Sequence, residues 1–91
     1  MMMKAIITRY HGPTNYRPSR IAACAEGVSR LYLPYDHALT ASENHAAAAH
    51  ALAQRQGWLH PGYTLAGGGL PNGRGNAYVF VQAPPQPQPP Y

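Results

Sequence analysis

The segment from Thr8 to Arg20, TRYHGPTNYRPSR, places cationic and aromatic side chains next to one another. Its candidate binding residues are Arg9, Tyr10, His11, Tyr16, Arg17 and Arg20. Guanidinium groups pair with phosphates and aromatic rings stack on bases, so this mixture suits contact with single-stranded nucleic acid. Tyrosine and arginine are also enriched at the centres of protein interfaces. The segment therefore predicts a surface for nucleic acid or for protein, and its alternative is a loop stabilised by its own packing.

The charge balance permits an anionic partner. Six arginines and one lysine face three carboxylates, which gives a formal charge of +4. Arg30 extends the group of arginines in the first third of the chain, and folding could gather them into one patch. Arg74 lies in the segment GGGLPNGRGN, whose glycine N–H groups could hold an anion, but a strand rather than a helix follows and a hairpin connection is favoured. The alternative for all these cations is a scattered, solvated surface.

No pattern indicates catalysis or a metal. Five histidines are present, but His45 and His50 are five residues apart, which places them on different faces of a helix. Cys24 lies among alanines and is typical of a packing residue. Three carboxylates leave little for acid–base chemistry, and Asp36-His37 is typical of a turn. We therefore expect a protein that is not an enzyme and has no cofactor and no metal.

The element that must position this surface is a helix between Thr40 and Gly57. Thr40 and Glu43 form a capping box, and Gly57 can adopt the left-handed conformation that ends a helix. Seven alanines lie between them, so the helix can approach a sheet closely. The predicted inner stripe is His45, Ala48, Ala49, Leu52 and Gln56, followed by a contact from Trp58.

Strand-like segments surround the helix. The predicted strands are 4–10, 19–25, 29–35 and 77–81, with 63–66 as an optional short strand before the last. Within them, alternation places Arg9 with Ile7, Arg20 with Cys24, and Arg30 with Tyr32. The glycines at 67–69 are expected to loosen the backbone. The order β-β-β-α-β predicts an α+β two-layer sandwich, with one helix packed on a face of an antiparallel sheet.

The length predicts a single domain over residues 3–82. Residues 83–91, APPQPQPPY, predict an extended, disordered tail rich in proline and glutamine. No apolar run approaches the roughly 20 residues that cross a bilayer, and a single cysteine excludes an internal disulfide. We therefore expect a cytoplasmic protein without a membrane partner. The edges of so small a sheet leave room for a homodimer.

The segments KAIITRYHGPTNYRPSRI, YDHALTASENHAAAAHAL and GGGLPNG with YVFV together resemble small proteins carried by bacterial phages, plasmids and genomic islands. The resemblance covers about Lys4 to Val81, and the proline-rich tail departs from it. It implies an accessory protein that inhibits a host defence system in the bacterial cytoplasm, as anti-CRISPR proteins do. The implied partner is a protein or ribonucleoprotein effector, bound stoichiometrically. The basic charge disfavours DNA mimicry, and a small nucleic-acid-binding regulatory module that contacts RNA or DNA is the alternative.

Overall fold

The computed structural model describes residues 5–71, 73 and 75–82. These residues form five strands and one helix. In chain order the elements are β1 (Ile6–His11), β2 (Arg20–Cys24), β3 (Leu31–Pro34), α1 (Ala41–Gln56), β4 (Tyr63–Gly69) and β5 (Asn76–Gln82). Arg74 and residues 83–91, on which two of the predictions rest, lie outside the described residues.

The five strands form one antiparallel sheet in the order β3-β2-β1-β5-β4. The first three strands make two successive hairpins, and the last hairpin, β4–β5, is added to the free side of β1. The first strand in the chain is therefore the central strand of the sheet. With α1 against one face, this is a small α+β fold of the predicted class.

Both ends of α1 are closed by local interactions. Glu43 N–H donates to the Thr40 hydroxyl at 3.1 Å, and the Glu43 carboxylate accepts from Thr40 N–H at 3.0 Å. This hydrogen bonding lowers the pKa of Glu43. At the other end Gly57 has a φ of 72°, and Trp58 N–H returns to the carbonyl of Ala53. The predicted capping box and left-handed terminus are both present.

The core lies between the small-residue face of α1 and the first two strands. Helix residues Ala48, Ala49 and Leu52 pack with Ile6 and Ile21, and all five are almost completely buried. Alanine side chains let the helix axis approach the sheet closely, so little apolar volume suffices to exclude water. The α1 residues are in contact chiefly with β1, β2 and β3. The half of the sheet formed by β5 and β4 has much less helix above it.

Two details of the expected core differ. Gln56 is only half-buried, whereas Asn44, which was not in the predicted stripe, is buried. The Asn44 amide accepts from Asp36 N–H at 2.9 Å and donates to the carbonyl of Asp36 at 2.9 Å. These bonds attach the connection after β3 to the first turn of the helix. Burial of an asparagine is therefore compensated by backbone partners.

The expectation that the glycines at 67–69 loosen the chain is wrong. They are paired in β4, with Gly67 opposite Tyr78 and Gly69 opposite Asn76. A Cβ atom at Gly67 would come 2.2 Å from the Tyr78 ring, so glycine there makes room for that ring. The glycines lengthen the optional strand of 63–66 to seven residues.

A buried polar contact joins β1 to α1. The hydroxyl of Thr8 and Nδ1 of His45 are 2.7 Å apart and hydrogen-bonded, and both residues are buried. Burial lowers the pKa of His45, because a charged imidazole would lose its hydration there. The neutral imidazole is therefore the form that this core holds.

The stability of the fold should consequently depend on pH. In the unfolded state His45 accepts a proton near pH 6.5, whereas in the folded state its pKa is lower. The stability that the neutral imidazole contributes is therefore present above pH 6.5 and is lost as the pH falls through the folded pKa. We expect the urea midpoint to fall on acidification and the fall to be shallower in His45→Gln. Thr8→Val should cost about 1–3 kcal/mol at all pH values while keeping the slope. An unchanged slope in His45→Gln would contradict this assignment.

Candidate functional site

The face of the sheet opposite α1 is called the open face here. Since alternate side chains of a strand point to opposite faces, burial of Ile6, Ile21 and Ala23 against the helix directs the intervening residues away from it. The residues of the open face on β1, β2 and β3 include Ile7, Arg9, His11, Arg20, Ala22, Cys24 and Tyr32, and Arg30, which directly precedes β3, lies beside them. Three arginines, a histidine and a tyrosine thus share one surface.

The pairing register sets the arrangement of these side chains. Arg9 lies opposite Ala22, which lies opposite Tyr32 on the next strand. His11 lies opposite Arg20 in the adjacent row. Ala22, which is small and buried, therefore lies between a cationic and an aromatic side chain that both extend beyond it.

Arg20 is the unusual residue of the open face. Its guanidinium lies over the Tyr32 ring, with Cζ 5.2 Å from the ring centroid. Nε and Nη1 are buried, and neither has a hydrogen-bond partner among the described residues. A buried donor without an acceptor costs free energy, more so when it is charged, and cation–π contact returns only part of that cost. Two donors of Arg20 are therefore unsatisfied among the described residues.

His11 reports the electrostatic character of the same surface. Its pKa is lowered first by desolvation and then by the positive charges of Arg20, Arg30 and Arg9. Its ring contacts that of Tyr32, with centroids 5.9 Å apart. A cation is thus disfavoured at His11 by desolvation and then by the three neighbouring guanidinium groups, and the charges of those groups favour an anion near them.

Tyr32 completes the group and was not among the predicted site residues. Its hydroxyl accepts from Arg30 Nη1 at 3.3 Å, and this bond is the main reason why the pKa of Tyr32 is lowered. Its ring is 41% exposed. The alternation that places Tyr32 beside Arg30 was visible in the sequence, but nothing local linked that strand to the arginines of β1 and β2.

The structure separates the other predicted residues from this cluster. Tyr10 points to the helix side, where its ring packs edge-on against Tyr35 with centroids 5.1 Å apart. Tyr16 is 95% exposed in the loop between β1 and β2. Arg17 follows it in the exposed loop and is close enough to Tyr32 to lower the pKa of that phenol slightly. The open face therefore gathers Arg9, His11, Arg20 and Arg30, while Tyr10 and Tyr16 lie elsewhere.

The loop that carries Tyr16 has its own internal order. The Thr14 hydroxyl accepts from the backbone N–H groups of Tyr16 and Arg17, at 3.2 and 3.0 Å. Thr14 N–H also donates to the carbonyl of Arg17 at 2.8 Å. This turn presents the Tyr16 ring to solvent on a fixed backbone, separate from the open face.

The described residues include the histidines and the cysteine that are candidates for metal binding or nucleophilic catalysis. No cluster of three or more His, Cys, Asp or Glu side chains with metal-binding geometry occurs among those residues. Cys24 is a free, partly buried thiol opposite Ile7, whereas His11 is four residues further along β1, about 13 Å away at strand spacing. That separation is too great for the imidazole to activate the thiol. The one helix of the described residues is too short and too polar to cross a bilayer.

Comparison of the chain with protein-family models, with curated proteins and with solved structures found no match. The resemblance to proteins of mobile elements therefore stays a prediction. The chemistry of the residues above is therefore the basis for a function.

The unpartnered guanidinium predicts anion binding that a thermal-shift measurement can detect. Inorganic phosphate should raise the melting temperature of the protein, by about 4–8 °C for each kcal/mol of binding free energy in a domain of this size. Arg20→Met, which keeps the stem of the side chain, should lose the shift.

Arg55→Met is the matched control. Arg55, near the end of α1, also carries one positive charge, but its guanidinium already donates to the carbonyl of Ser29. Its phosphate-dependent shift should equal that of the wild type. Equal shifts in Arg20→Met and wild type would show that phosphate does not bind at Arg20.

Proposed function

We propose that the protein is a non-enzymatic binding protein whose open face holds the phosphate backbone of a single-stranded nucleic acid. The observation that carries the proposal is the Arg20 guanidinium, which has buried donors without partners and lies among other cations. Phosphate oxygens are the acceptors that match a guanidinium fork. Because the donors of Arg20 are already desolvated in the free protein, bringing the guanidinium and a phosphate together costs less desolvation free energy.

The rest of the open face suits an unpaired strand. Tyr32 is 41% exposed, and a base can stack on its ring only if that base is not enclosed in a duplex. On the neighbouring β5, Val79 and Val81 are 46% and 37% exposed and lie on the same side of the sheet. Their apolar side chains extend the surface toward bases and sugars beyond the arginines.

The residues also divide into two roles. Arg9, Arg20 and Arg30 would contact phosphates, which gives affinity without sequence information. Tyr32 would contact a base by stacking, which tolerates every base. The affinity should accordingly decrease as the salt concentration rises and should vary little with the sequence of the nucleic acid.

Fluorescence anisotropy with labelled single-stranded RNA and DNA of about 12 nucleotides tests this function. If three arginines contact phosphates, a plot of the logarithm of the binding constant against the logarithm of salt concentration should have a slope of about −2. The triple variant Arg9→Met/Arg20→Met/Arg30→Met should bind at least about tenfold more weakly and with a flatter slope.

Arg55→Met serves again as the control and should bind like the wild type. Circular dichroism of the triple variant establishes that it is folded. An affinity that the triple variant retains in full would refute the assignment of the open face, and absence of binding by the wild type at low salt would refute the function.

A second function is favoured by one observation, the 95% exposure of Tyr16 on an internally hydrogen-bonded turn. An exposed tyrosine on an ordered turn is an effective anchor in protein interfaces. We propose as this alternative that the loop of residues 12–19 binds a protein or ribonucleoprotein effector of a host defence system, as the mobile-element resemblance implies.

Surface-plasmon resonance against a purified effector complex tests this alternative. Tyr16→Ala should weaken the binding at least about tenfold, the usual effect of losing an interface anchor. The triple arginine variant should retain any binding that survives nuclease treatment of the complex. Full binding by Tyr16→Ala would count against the loop as the contact.

A further inference from the structure

The two edges of the sheet differ in how they are protected. β3 is short, ends at Pro34, and follows Arg30, so proline and charge oppose pairing with another strand. β4 has seven residues, Tyr63–Gly69, and contains neither charge nor proline. One side of β4 pairs with β5 along its whole length, and the other side pairs with no strand of the described residues. An edge of this kind is open to pairing.

An apolar groove lies beside the same edge. Because α1 packs over β1, β2 and β3, it leaves space between its flank and β4. Side chains that line this groove include Ala46, Ala47, His50, Leu59, Tyr63 and Leu65. Leu59 and Tyr63 are 40% and 49% exposed. The uncovered edge and the exposed apolar side chains are thus parts of one continuous surface.

We propose that a second copy of this chain covers that surface by antiparallel pairing of β4 with β4. A two-fold axis perpendicular to the sheet would join two five-stranded sheets into one of ten strands. Full overlap of the two edges pairs Ala66 with Ala66 of the second copy and Tyr63 with Gly69. This inference does not depend on the proposed function.

The side chains of β4 complement themselves in this register. Tyr63 lies on the helix side of the sheet, in the same alternating set as Leu65 and Gly67. Across the two-fold axis it would meet Gly69, which has no side chain to oppose a ring. The same contact occurs twice, once on each side of the axis, as an isologous interface requires. Because each Tyr63 then lies opposite a Gly69, pairing of β4 with a second copy of itself is favoured over pairing with an unrelated strand.

The charges of the chain allow this contact despite its formal +4. Arg9 and Arg20 lie on β1 and β2, and Arg30 directly precedes β3, so all three belong to the part of the sheet farthest from β4. Arg55, near the end of α1, contacts the carbonyl of Ser29, two residues before β3. Pairing at β4 therefore keeps these cations apart, whereas pairing at β3 would bring them together.

The symmetry has a consequence for the open face. A two-fold axis perpendicular to the sheet places both helices on one side and both open faces on the other. A polyanion could then contact two clusters of arginine on one continuous surface, which raises the effective affinity without any new contact. Dimer formation and binding on the open face can nonetheless succeed or fail separately.

Light scattering after size-exclusion chromatography, over a series of concentrations, tests the dimer. The wild type should give twice the mass of the 9.9 kDa chain. Ala66→Lys, which sets two ammonium groups opposite each other at the axis, should halve that mass. Ala38→Lys, the same substitution at an exposed position after β3, should leave the dimer intact. A monomeric wild type, a dimeric Ala66→Lys or a monomeric Ala38→Lys would each overturn the proposal.

Cross-linking gives a second test that does not require a charge at the edge. In a Cys24→Ala background, Ala66→Cys should form an intermolecular disulfide under oxidising conditions, since the two Cα atoms would be about 5 Å apart. Thr64→Cys should not, because in this register Thr64 faces Gly68 and lies far from its own copy. Equal cross-linking of both variants, or of neither, would overturn the pairing even if Ala66→Lys failed to fold.

Discussion

The structure depends on the packing of one alanine-rich helix against part of a five-stranded sheet. Ala48 and Ala49 bring α1 close to β1 and β2, and Leu52 fills the space that they leave. A helix about 10 Å across covers about two strands spaced about 4.8 Å apart. The opposite face and the β4 side of the sheet are therefore left for other uses. The open face and the β4 edge, the two candidate binding surfaces, are thus both uncovered because a single helix covers only part of one face of the sheet.

The central strand connects the core to the open face. Thr8 points inward and is hydrogen-bonded to His45, whereas Arg9 and His11 point outward. A slip of one residue in β1 would exchange the two sets and bury an arginine. The Thr8–His45 contact and the packing of Ile6 therefore maintain the register on which the cluster of cations depends. A polar contact in the core here supports specificity of structure as well as stability.

Arg20 departs from the rule that buried polar groups are hydrogen-bonded. A guanidinium with two buried, unpartnered nitrogen atoms is destabilising by itself, and Tyr32 compensates only in part. Native proteins break such rules at a few places, and functional sites are among them. The exposed side chains of Tyr63 and Leu59 at the β4 edge are a second departure, which a second copy would correct in the same way.

Local interactions determined much of this protein from the sequence alone. The Thr40–Glu43 box and Gly57 fixed the helix, and alternation fixed which residues of each strand share a face. Those signals named four of the five residues now found together, Arg9, His11, Arg20 and Arg30. Only the tertiary structure decided that these faces lie on the same side of one sheet, that Tyr32 joins them and Tyr10 does not, and that the glycines of β4 are paired. Each of these depends on pairing between strands distant in sequence, and local propensity carries no information about that register.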